Sequence, residues 1–168
     1  MTPQATDSDI SETTAESPVR TANSTWWLVA GTSLISMGLA AYEIVPASVT
    51  PLIRESLQVG PTAAGLVVGV MFGTAVVVSL PVGAVLDRTD SRTAMALAVG
   101  ILVIAGVWGW RAGRRGQYES ILASRALGGA AYVVVWNAGI DMISRAVDGS
   151  HRATAVGIFT ASGPVGFA

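Results

Sequence analysis

Charged side chains set into long uncharged runs are the features of this chain that could do chemistry. The segment PVGAVLDRTDSR, residues 81–92, alternates two acids and two arginines within six positions. Glu43, Arg125 and Asp141 stand at or inside the margins of other apolar runs. Such groups are costly in hydrocarbon, so they commonly face protein, a water-filled cavity or a charged partner. An acid in that setting can carry a proton or meet a cation, and a buried arginine can bind an anion.

The composition indicates a membrane protein. Of the 168 residues, 51% are hydrophobic and 12% are charged, and the mean hydropathy is +0.56. The net charge of -1 gives no basic surface for nucleic acid. With no Cys and one His, disulfides, thiolate metal sites and multi-histidine metal sites are excluded. No set of nucleophile, base and orienting acid is visible, so we expect neither an enzyme nor a cofactor or metal site.

The distances between charges predict the membrane spans. There are 22 uncharged residues between Arg20 and Glu43, 31 between Glu55 and Asp87, and 18 between Arg92 and Arg111. A span needs about 20 predominantly apolar residues. These gaps predict spans near 26–46, 62–86 and 93–110, and a fourth near 121–144 that carries Arg125 and Asp141 inside its own ends.

The two ends of the chain are expected to differ from this bundle. Residues 1–25 are polar and acidic, without periodic apolar positions, and predict a disordered tail rather than a secretory signal. At the other end, 153–168 form a fifth apolar stretch that is short for a span. We expect 26–168 to be a transmembrane helical region that is truncated in its fifth span. A complete small protein whose last helix frays is the alternative.

Glu43 and Asp141 each have two interpretations. If the first helix continues through Pro46 toward Arg54, Glu43 lies well inside a span; if the helix ends near Pro46, it lies at the outer interface. Asp141 has Arg145 as an i, i+4 neighbour, which favours a solvated salt bridge, or it takes a partner from the loop at 87–92. Gly65, Gly69 and Gly73, spaced by four, predict a face on which another helix packs closely.

The loop between the second and third spans resembles the signature of the major facilitator superfamily of secondary transporters, approximately G-x-x-x-D-R-x-G-R-R. Gly83, Asp87, Arg88 and Arg92 match it. Asp90 stands where the family has Gly, which is tolerable because Asp visits the left-handed conformation. Ser91 stands where the family has Arg, and we expect it to cap the third spanning helix.

Two further segments carry the same resemblance. RALGGAA at 125–131 is similar to the motif of the family's fourth span, with Arg125 as the matched charge. SGPVG is similar to the Gly-Pro motif of its antiporter branches, with Gly163 and Pro164 aligned as a helix-kink motif. The resemblance implies an all-α integral membrane protein of four and a half to five transmembrane helices, the incomplete N-terminal half of a twelve-helix fold.

The resemblance also implies a function. The implied function is proton-coupled transport of a small solute across the cell membrane by alternating access. The remaining spans of the full-length transporter are implied as partners of this chain. Asp87 is implied to act as a conformational latch, with Arg88 and Arg92 completing a network with Asp141, and Arg125 to line the cavity. The alternative is a small multi-pass protein that acts as an anchor or assembly partner. The arginine counts on the two sides, five against four, decide little about orientation, and we expect the N-terminus to lie in the cytoplasm.

Overall fold

The protein is a bundle of helices in the computed structural model, which describes residues 22–166. The predicted acidic tail at 1–25 lies almost wholly outside the described residues, as do positions 167 and 168. The helices are α1 (Ala22–Ser48), α2 (Thr50–Leu57), α3 (Pro61–Leu86), α4 (Ser91–Arg114), α5 (Tyr118–Ala146) and α6 (Gly149–Val165).

Four of these helices are long and apolar enough to cross a membrane: α1 from Ser24, α3, α4 and α5. With no water in the hydrocarbon region, a helix satisfies its backbone groups within itself, which explains the helical fold. Outward side chains are apolar to match: Leu80 is 85% exposed, Val76 74% and Val77 75%. The predicted all-α membrane fold is confirmed. α6, with 17 residues, is shorter than these four, and its truncation remains a prediction.

Short turns with specific backbone chemistry join the helices. Pro61 lies at the start of α3, where its missing N–H removes no helical bond. Gly116, with φ of 65°, provides the left-handed residue between α4 and α5. The turn between α3 and α4 ends at Asp90, whose side chain accepts a hydrogen bond from the Thr93 N–H at 3.2 Å.

One expectation for that turn, the Ser91 cap, is therefore wrong. The residue that caps α4 is Asp90, and Ser91 is the first residue of the helix. Asp90 also has φ of -63° and ψ of 129°, an extended conformation, so its ability to visit the left-handed region is not used. An N-cap residue needs extended backbone and a short side-chain oxygen, and Asp90 supplies both.

Helix α5 is the central element. It packs mainly on α3 and α4, whereas α1 packs mainly on α6. Two groups of buried apolar side chains hold these sets together. One joins α1, α3, α4 and α5, and the other joins α1, α5 and α6: Leu39, Met71, Ala94, Met95, Ala98, Val135 and Ala138; and Val29, Ile143, Val147, Ala155 and Phe159.

Close helix packing occurs at glycines of α5 rather than at the predicted α3 face. A Cβ on Gly129 would lie 2.2 Å from the Met71 carbonyl oxygen, and one on Gly128 would lie 2.5 Å from the Tyr42 hydroxyl. By contrast, a Cβ on Gly65, Gly69 or Gly73 would meet no atom within 4 Å. Within residues 22–166, no helix covers the α3 glycine face, and α5 depends on its own glycines to approach α3.

We expect Gly129→Ala to destabilise the bundle by about 1–3 kcal/mol, because the added methyl group meets backbone that cannot rotate away. The matched control is Gly69→Ala, on the open face of α3, which should be neutral or slightly stabilising because Ala is the better helix former. Unfolding of purified protein in mixed detergent micelles measures both. Equal effects of the two variants would contradict the packing described here.

Candidate functional site

Arg125 is buried at the junction of three helices. It is 4% exposed, on α5. Its Nη1 donates to the Tyr42 carbonyl at 2.8 Å and its Nε donates to the Val67 carbonyl at 3.2 Å. Its Nη2 lies 3.1 Å from the Met71 sulfur, and the guanidinium lies over the Tyr42 ring, 4.3 Å from the centroid. One side chain therefore links α5 to both α1 and α3.

The Tyr42 carbonyl is available to Arg125 for a covalent reason. In a helix this carbonyl would accept from the N–H four residues later, at position 46. Position 46 is Pro46, inside α1, which has no N–H. The sequence contained this signal in the spacing of Tyr42 and Pro46, but only the structure shows that a distant arginine supplies the missing donor.

Glycines beside Arg125 allow this contact. Gly128 and Gly129, on the next turn of α5, face Tyr42 and Met71, so larger residues there would push α1 and α3 away from the guanidinium. The Tyr42 hydroxyl also donates to the Ser124 carbonyl at 3.3 Å. The RALGG segment thus combines a charge with the room that lets its partners approach.

Glu43 lies inside a helix that continues through Pro46. α1 ends at Ser48, and after Val49 the chain enters α2, which extends past Arg54. Glu43 is five residues before the end of α1, about 7.5 Å along its axis at ~1.5 Å per residue. α1 extends two residues past Pro46 and ends before Arg54, so neither interpretation is selected, and the depth of Glu43 in the membrane remains a prediction.

Glu43 faces a cavity of about 240 Å³ between α1, α5 and α6. Two other residues singled out from the sequence, Gly163 and Pro164 of α6, also line this cavity. The other lining residues were not singled out from the sequence. Their spacing offered a signal, because Ser36 is two turns before Glu43 on α1, and Tyr132 and Trp136 are i, i+4 on α5. The lining residues are Ser36, Leu39, Ala40, Glu43, Tyr132, Trp136, Gly163 and Pro164.

The Gly-Pro segment brings α6 close to α1 and α5. A Cβ on Gly163 would lie 3.5 Å from the Trp136 ring, and one on Gly166 would lie 2.7 Å from the Met37 carbonyl oxygen. Pro164 is the penultimate residue of α6, which ends at Val165. Its role as a kink therefore remains a prediction, while the close approach of the helices is observed.

The loop cluster, formed by Asp87, Arg88 and Arg92 at the junction of α3 and α4, lies at the opposite end of the bundle from Arg125. Asp87 follows the last residue of α3, and its N–H donates to the Gly83 carbonyl at 3.0 Å. Asp87, Arg88 and Arg92 are exposed and, together with Arg145 of α5, surround a pocket of about 410 Å³. The structure therefore brings the matched loop residues together with the end of α5.

Asp141 has partners both on its own helix and in the segment 87–92. Arg145 Nε donates to its two carboxylate oxygens at 2.9 and 2.8 Å, and the Ser91 hydroxyl donates to the same carboxylate. Arg88 and Arg92 were expected to pair with Asp141. In the described part of the chain, however, the one ion pair within 4 Å is that of Asp141 with Arg145. Ser91, which replaces an arginine of the signature, supplies a neutral donor in its place.

We expect Arg125→Met to cost about 1–3 kcal/mol, because the buried Tyr42 carbonyl loses its donor. In a Pro46→Ala background the cost should fall by about 1 kcal/mol, since the N–H at position 46 then serves that carbonyl. Unfolding free energies of the four variants give the coupling.

The control for this cycle is Pro51→Ala, in the first turn of α2, where proline removes no bond within that helix. Its effect should add to that of Arg125→Met. Additivity in the Pro46 cycle as well would show that Arg125 does not substitute for the missing N–H.

Comparisons with known proteins agree with these features. The family model described as Major Facilitator Superfamily matches residues 22–168. No curated protein and no solved structure gives a significant match. The matched region includes the loop cluster, the RALGG segment of α5 and the Gly-Pro segment of α6. The chain is therefore a multi-pass membrane protein that belongs to the Major Facilitator Superfamily, a superfamily of transporters.

Proposed function

We propose that this protein carries out secondary, proton-coupled transport of a small solute by alternating access in the cell membrane. The observation that carries the proposal is the Glu43 cavity: a carboxylate within a candidate spanning helix lines a partly open cavity between α1, α5 and α6. An acid at such a position is expensive, and its environment there can change its protonation as solute or water enters. A membrane protein that acts only as an anchor or assembly partner does not need a carboxylate in such a cavity.

Arg125 supports this proposal by position. Its positive charge lies on α5, next to the residue that precedes Glu43, so the two charges influence each other without forming an ion pair. Arg125 also lines a separate, mainly apolar pocket of about 680 Å³ on the side of α4. We infer that it helps to set the protonation of Glu43 while it holds α1 in place.

Asp87 supports a conformational role at the loop end. It is exposed at the C-terminal end of α3, where a negative charge interacts unfavourably with the helix dipole. Among residues 22–166 its side chain has no hydrogen-bond or ion-pair partner. We propose that its partner is formed in one state of the transport cycle, and that this loop and the N-terminus face the cytoplasm.

A transport assay tests the role of Glu43 in proton coupling. The protein is placed in proteoliposomes, a pH gradient is imposed, and radiolabelled solutes are screened for flux. We expect Glu43→Gln to abolish dependence on the gradient, because an amide takes up no proton at physiological pH. The matched control, Glu55→Gln on the exposed surface of α2, should transport like the wild type. Flux in the wild type that ignores the gradient would exclude proton coupling.

Asp87→Asn should lower transport several-fold while stability stays equal or rises by about 0.3–1 kcal/mol, since the unfavourable charge at the end of α3 is removed. Flux and unfolding are measured on the same preparations. Asp148→Asn, at an exposed position before α6, is the control and should leave flux unchanged. Undiminished transport in the Asp87 variant would rule out the latch.

A further inference from the structure

The cavity between α1, α5 and α6 contains polar groups that lack partners. Ser36 is 1% exposed and lines the cavity, and its hydroxyl makes no hydrogen bond in the described structure. The indole N–H of Trp136, in the facing wall, also has no acceptor. Buried polar groups are nearly always hydrogen-bonded. Ser33 on α1 also lacks a partner but lies outside the cavity, so the position of Ser36 and Trp136 in the lining is what makes them available to a bound molecule.

Glu43 gives the cavity its charge. It is the one formally charged residue in the lining, and within residues 22–166 its carboxylate forms no ion pair. The nitrogens of Arg125 are directed to the carbonyls of Tyr42 and Val67, outside this lining, so Arg125 does not pair with Glu43. A ligand that enters here meets Glu43, and the ionised carboxylate of Glu43 favours a cation.

The aromatic wall favours a cation as well. Tyr132 and Trp136 lie side by side on α5, with ring centroids 6.2 Å apart and planes inclined at 52°. Phe159 of α6 packs edge-on against Trp136 at 5.2 Å and holds it in place. Rings that flank a carboxylate attract ammonium groups by their quadrupoles, and they also provide apolar surface for an organic substituent.

We propose that this cavity binds the head of a small organic cation, a protonated amine with a hydrogen-bond acceptor close to the nitrogen. The ammonium group pairs with Glu43 and donates to the Ser36 hydroxyl, and the neighbouring acceptor receives the Trp136 N–H. The inference rests on the proposed transport function, since it assigns a substrate class to the same site. The size of the cavity, about 240 Å³, suits a small head group rather than a large drug-like molecule.

Three probes of the same shape and different charge test the proposal: 2-phenoxyethylamine, 2-phenoxyethanol and phenoxyacetate. Binding is measured by calorimetric titration of the full chain in lipid nanodiscs. We expect the amine to bind at least about tenfold more tightly than the alcohol, and the carboxylate not to bind. Equal binding of amine and alcohol, or no binding of the amine, would overturn the proposal.

Variants locate the binding. Glu43→Gln should remove the preference for the amine, and Ser36→Ala should weaken amine binding several-fold. Ser33→Ala is the matched control, because Ser33 is also buried on α1 with an unpartnered hydroxyl but does not line the cavity. If Glu43→Gln does not fold, Glu43→Asp keeps the charge and should keep the preference for the amine with lower affinity. Unchanged amine binding in the Ser36 variant, or equal losses in the Ser33 and Ser36 variants, would also count against the site.

The proteoliposome assay separates this inference from the proposed function. Amine binding without flux of any solute would refute transport and leave the cation site standing. Gradient-driven flux of other solutes by a protein that does not bind the amine would refute the cation site alone.

Discussion

The hydrogen bond from Arg125 to the Tyr42 carbonyl is the contact on which the arrangement of the helices depends. Pro46 leaves that carbonyl without its helical donor, and an unsatisfied carbonyl in a membrane interior is costly. The guanidinium removes this cost and, through Val67, fixes α3 at the same point. A buried positive charge, which would be a liability by itself, is thereby supported by two carbonyls, a thioether and a ring face.

Glu43 lies beside that contact. Arg125 joins α1 to α5 at Tyr42, and Glu43 is the next residue of α1. Glu43 then faces the space between α1, α5 and α6. Arg125 thus supplies the donor that the Tyr42 carbonyl lacks, while the neighbouring residue, Glu43, lines the cavity.

Much of this could be predicted from the sequence, because charges are excluded from lipid and their spacing marks the helices. The loop at 87–92 and the place of Arg125 inside the fourth span also follow from motif and charge. The partners of Arg125 do not, since they depend on the rotation of three helices about their axes. The cap of α4 was misassigned by one residue because Asp90 and Ser91 are both good caps, and only backbone geometry separates them. Ser36 and Trp136 were missed because a hydroxyl or an indole in an apolar helix is unremarkable until its hydrogen bonds are counted.

The division of the bundle into a pair, α1 with α6, and a trio, α3 to α5, has a consequence for the cavity. Its walls come from both sets: α1 and α6 on one side and Tyr132 and Trp136 of α5 on the other. A molecule bound there touches both sets at once, so its binding energy is also energy of association between them. Any sliding of the pair against the trio changes the affinity of the cavity, and by linkage an occupied cavity resists that sliding.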